Sequence, residues 1–143
     1  MLLLAFLACV DSSDSDVQNG CEIEASARHL AGQDALDCGS VGIDEDPTAV
    51  DACVISSFEK HAPFYAIYTQ QGIDSQVMVA FVSDGSSVWT LNYDSDPSGG
   101  SDVGAVIYQS TCLEPTVQKG KTGNDELSCT ASTSQKICDE GRG

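Results

Sequence analysis

Positive charge is scarce in this chain. Six Lys and Arg face 22 Asp and Glu among 143 residues, for a formal net charge of −16, and no Lys or Arg stands between Lys60 and Lys119. Phosphate backbones bind proteins whose cations displace their counterions, so this scarcity argues against a nucleic-acid partner. The same field repels anionic lipid headgroups, which leaves membrane attachment to an acyl chain or an apolar segment. A basic protein, a cation or plain solubility remains compatible with it.

Histidine is nearly absent too. His29 and His61 are the only imidazoles, so a general base working at neutral pH is one of them or a carboxylate with a displaced pKa. The Gly-x-Ser-x-Gly elbow of a serine hydrolase is missing. So many carboxylates guarantee chance pairs, and an acid pair in the sequence therefore carries no information about hydrolysis. There is no internal repeat and no Cys-x-x-Cys knuckle, and beyond Cys9 the closest two cysteines are Cys129 and Cys138. Zinc is disfavoured by that spacing.

What is present begins with an apolar run, Met1 to Ala8, which ends at Cys9 and gives way to a Ser- and Asp-rich stretch reaching Asn19. The run is far shorter than the roughly 20 residues that cross a bilayer. Phe6-Leu7-Ala8-Cys9 resembles the end of a bacterial lipoprotein signal, in which small and apolar residues precede the Cys that receives the lipid. The resemblance implies residues 1–8 as signal peptide, 9–20 as a lipid-anchored flexible tether, and 21–143 as one domain held to a bilayer through an acyl chain on Cys9. An ordinary cleaved signal is the alternative, and both place the protein outside the cytoplasm, on a membrane in the first case.

Cys21, Cys38, Cys53, Cys112, Cys129 and Cys138 remain, an even set that can form three disulfides. Six cysteines allow many connectivities. Pairing neighbours gives Cys38 with Cys53 and Cys112 with Cys129, leaving Cys21 with Cys138 to tie the ends.

Local patterns point to an α+β domain in which one main helix packs on an antiparallel meander of about four strands. Ile23 to Leu36 permits a short helix or two, with Gly32 as a weak point. The main helix is expected from about Thr48 to Lys60. Asp46 and Pro47 suit its start, Val50, Val54 and Phe58 form its apolar stripe, and Lys60, His61 and Pro63 stop it. Phe64 to Gln70, Gln76 to Val82 and Val88 to Tyr93 read as strands, with turns at Gly72 and at Asp84-Gly85. A fourth runs from about Gly104 to Thr111. Trp89, Leu91 and Tyr93 share one side of their strand while Thr90 and Asn92 share the other, so one sheet face should be dry and the other wetter, with the main helix covering the dry one. Gly39 to Asp44 reads as loop, and from Leu113 onward the chain is polar and Gly-containing and is expected to depend on Cys129 and Cys138 for its order.

Asp94, Asp96, Ser98 and Asp102 bracket Gly99 at the alternating spacing that resembles the opening half of a calcium loop, which implies a calcium site. Read plainly, the segment is a polar turn between strands. Tyr65, Tyr68, Trp89, Tyr93 and Tyr108 lie on or near the sheet, where aromatics build either core or binding surface. The organisation is similar to that of small, cysteine-rich envelope lipoproteins. It implies a non-enzymatic binding or structural module, with an acidic inhibitor or adaptor of a basic secreted or envelope protein, or an envelope hydrolase, as alternatives.

Overall fold

In the computed structural model, which describes residues 20–100 and 104–141, the order of elements is α1 (Ile23–Ala31), β1 (Leu36–Val41), α2 (Thr48–Glu59), β2 (Phe64–Gln70), β3 (Val77–Ser83), β4 (Val88–Asp94), β5 (Val106–Thr111), β6 (Thr116–Lys119), β7 (Asp125–Ser128) and β8 (Gln135–Asp139). β1, β2, β3, β4, β5 and β8 form one mixed sheet in that spatial order, and β6 with β7 makes a separate hairpin. The expected main helix on a four-strand antiparallel meander is therefore overturned: the chain is mostly β, with two short helices among the described residues.

The meander itself rests on alternation. In β2, β3 and β4 aromatic and β-branched residues suit a pleated surface, and the antiparallel registers run unbroken from Phe64 opposite Ser83 to Gln70 opposite Val77, and from Val77 opposite Asp94 to Ser83 opposite Val88. The β3–β4 turn needs its glycine. Gly85 has φ of +90°, and a Cβ there would lie 2.6 Å from the carbonyl oxygen of His61.

The strands that escaped the sequence are those without an apolar pattern. All four residues of β6 are exposed, and β8 is exposed except for the half-buried Cys138. β1 lies at one edge of the sheet and pairs in parallel with β2 after the α2 crossover. Strands at an edge or in a free hairpin bury little, so their side chains carry no inside and outside to read. Backbone pairing and cross-links order them instead.

Three disulfides supply those cross-links: Cys21–Cys138, Cys38–Cys53 and Cys112–Cys129. Cys38–Cys53 ties edge strand β1 to α2, and Cys112–Cys129 ties the end of β5 to the β7 hairpin strand. Cys21–Cys138 spans 117 residues and joins the start of α1 to β8. Beside it, the Glu140 carboxylate accepts hydrogen bonds from the backbone N–H groups of Cys21 and Ala105. A Cβ on Gly104 would collide with the Glu140 backbone at 2.6 Å, so only glycine lets the two segments meet there.

The helices take opposite faces. α1 packs on the face of Tyr65, Ile67, Ala80, Val82, Leu91 and Ile107, burying Ala27 and Ala31. α2 and β7 pack on the other face, around Phe64, Ala66, Val88, Val54 and Leu127. The dry side of β4 is thus covered by α1 rather than by α2. The Cys38–Cys53 disulfide holds α2 at the β1 edge of the sheet, on the face opposite α1. Asp46 does accept the Thr48 hydroxyl (2.6 Å) and N–H (3.0 Å) at the start of α2, and these bonds hold its carboxyl below the usual carboxylate range.

Candidate functional site

Because α2 and the hairpin cover only part of their face, an open cleft of about 450 Å³ remains beside them. Its floor comes from alternate residues of three strands. Tyr68 stands opposite Val79 and Val79 opposite Asn92, while Phe81 stands opposite Thr90. Asp51 of α2 forms part of one wall, and Glu126 to Cys129 of the hairpin form another. The polar side of β4, read from the sequence as the wetter one, is therefore the side that lines the cleft.

Tyr68 organises this site. Its ring meets Phe81 edge to face, with centroids 5.9 Å apart and planes at 89°. Its hydroxyl donates to Oδ1 of Asp51 at 2.7 Å. Burial pushes the phenol's pKa far above its ordinary range, and the hydrogen bond to Asp51 and the negative fields of Asp51 and Glu126 push the same way. At physiological pH Tyr68 is thus a hydrogen-bond donor, not a base. Two carboxylates from different elements act on one phenol, and among the described residues no Lys or Arg lines the cleft.

Asp51 also lines a second groove of about 460 Å³ between α2 and the hairpin, with Glu59 and Asp125. Asn124 crosses there, donating from Nδ2 to Oγ1 of Thr48 at 3.0 Å, and Lys119 pairs with Asp125 at 2.8 Å. The hairpin is thereby fastened to α2 by its tip as well as by its disulfide.

Other residues singled out from the sequence lie elsewhere. Cys9 and Asp102 fall outside the described residues. Asp94 and Asp96 sit at and just after the end of β4, with side chains turned to their own loop: Asp94 accepts the Asp96 N–H (3.0 Å), and Asp96 accepts the Gly100 N–H (3.2 Å) and the Ser98 hydroxyl (3.4 Å). Among the described residues no three His, Cys, Asp or Glu side chains converge as metal ligands. His29 and His61 are exposed and line neither cleft. Asp51, Tyr68 and Glu126 went unmarked as a set because they come from α2, β2 and β7, and no local spacing joins them. Only the Thr90 and Asn92 alternation signalled this face in advance.

Comparison with protein-family models, with curated proteins and with solved structures found no match. Among the described residues no helix is long and apolar enough to cross a membrane. The three disulfides fit an oxidising, extracytoplasmic location.

Proposed function

We propose that this chain is an envelope lipoprotein, anchored through Cys9, whose domain is a non-enzymatic binding module with its ligand in the cleft over Tyr68. The observation that carries the reading is the unequal covering of the sheet: one face is sealed by α1, while on the other, aromatic and polar side chains line an open cleft fixed by two disulfides. Preformed concave sites with a few placed polar groups are the usual form of a ligand site. A histidine-dependent hydrolase draws no support from either cleft, since neither His29 nor His61 lines one.

A fragment screen read by backbone NMR tests the module. Hits should shift signals of Tyr68, Thr90, Asn92 and Glu126 together, and a screen with no hit there would end the reading. The anchor is tested by the intact mass of the mature protein from its native membrane fraction. A chain starting at Cys9 with added acyl mass is expected, and a mature protein without it would make the anchor wrong.

A further inference from the structure

We propose that the cleft receives a cationic side chain of a basic polypeptide, its ammonium or guanidinium group seated between Asp51 and Glu126 and against the rings of Tyr68 and Phe81. This rests on the reading of the cleft as the ligand site and names the chemistry of the ligand.

Charge is the first ground. Asp51 and Glu126 approach the cleft from α2 and β7, and neither finds a Lys or Arg among the lining residues. Arg28 and Lys136, by contrast, are each paired with a carboxylate elsewhere, and Lys119 with Asp125 in the neighbouring groove. A neutral ligand would leave the two carboxylates of the cleft uncompensated, and an anion would be repelled.

The floor supplies the second. Thr90 is 8% exposed and lines the cleft. Its hydroxyl joins none of the side-chain hydrogen bonds formed among the described residues, although no polar side-chain atom there is both fully enclosed and unpartnered. The hydroxyl therefore faces the cleft, where it can accept from an N–H donor. Tyr68 and Phe81 add aromatic rings, which attract cations over their faces. Tyr68 engages one oxygen of Asp51, Oδ1, and leaves the other without a side-chain hydrogen bond among the described residues.

A polypeptide rather than a free amine fits the extent of the acidic surface. Asp51 lines both grooves, and the second continues past it to Glu59, while Asp125 there is already paired with Lys119. An extended segment with basic side chains can thus follow carboxylates from one groove into the next, whereas a single amine occupies only the first.

The test is an NMR titration of the disulfide-intact, isotope-labelled domain with acetyl-lysine amide, acetyl-arginine amide, uncharged acetyl-norleucine amide, a neutral disaccharide and a short Lys-rich peptide. The two cationic amides should shift Tyr68, Thr90, Asn92 and Glu126 and bind at least about tenfold more tightly than the norleucine compound. The peptide should bind more tightly still and shift Glu59 as well. Asp51→Asn combined with Glu126→Gln should remove most of the difference between lysine and norleucine, and added salt should shrink it. Equal binding of the norleucine amide, or saturation by the disaccharide alone, would overturn the cationic ligand and leave the cleft as the site. A free lysine amide binding as tightly as the peptide would overturn the polypeptide. Silence of the cleft towards every probe would overturn both the ligand and the site.

Discussion

The two faces of the central sheet are built from alternate residues of the same strands, yet they are held in different ways. On the α1 face Ala27, Ala80, Val82, Leu91 and Ile107 are completely buried, and the alanines on helix and sheet leave room for close apolar packing. On the α2 face the corresponding layer includes Thr90, Asn92 and Ser110, and α2 and the hairpin are fixed by Cys38–Cys53 and Cys112–Cys129. The α1 face is closed chiefly by apolar packing, with Cys21–Cys138 at its margin, whereas two disulfides hold the cover of the other face over a smaller apolar cluster. A stapled cover need not fill the space beneath it, and that is how a cleft persists on a sheet of this size.

The comparison breaks first if the sealed face proves tolerant. Leu91→Ala removes a wholly buried side chain and should cost about 2–5 kcal/mol in a urea unfolding experiment. A cost as small as that of a surface change would mean that α1 does not seal its face.

Next is the staple. Replacing Cys112 and Cys129 together by serine opens a closure of 17 residues, and should cost about 3 kcal/mol. Hydrogen exchange should show where: amides of β6 and β7 lose protection, while those of β3 and β4 keep theirs at matched stability. Uniform loss over the whole sheet would show instead that the two faces share one cooperative unit.

The smallest effect sharpens the contrast at one side chain. Tyr68→Phe removes the hydrogen bond to Asp51 and should cost about 0.5–1.5 kcal/mol at neutral pH. The folded pKa values of Tyr65, Tyr68 and Tyr93 all lie above the ordinary one, with burial as the first cause. Groups raised in this way contribute their full stability below the unfolded value of about 10, and that contribution is lost as pH rises beyond it. Unfolding midpoints taken from pH 8 to pH 11 should therefore fall for the native protein, and fall less for Tyr68→Phe. Equal falls would show that Tyr68 ionises without resistance, as an exposed phenol does.

Much of the fold is legible wherever a segment has one side inside and one side out. β2, β3 and β4 declare themselves by aromatic and β-branched runs with turns between them, and α2 by Asp46, Pro47 and the apolar residues four apart. α1 ends at Gly32, whose φ is +95°. β1, β6, β7 and β8 carry no such signature, and the fold class read from the sequence failed on them. Gly39 to Val41, read as loop from the sequence, and Leu36, read as the end of a helical stretch, become parts of one strand because β2 offers it a partner. The cleft was illegible for a related reason, since Asp51, Tyr68 and Glu126 are far apart in the chain and each is an ordinary residue in its own element.

The sequence by itself determines the acidity, the even cysteine set beyond Cys9, the three central strands and the helix that follows Asp46, because charge, thiol count and periodicity are properties of composition and near neighbours. Only the tertiary structure decides which helix covers which face, where the edge strands lie, and that two carboxylates, two aromatic rings and a threonine hydroxyl share one cleft. Those outcomes depend on contacts between distant segments, and a local pattern holds no record of the partner a segment will meet.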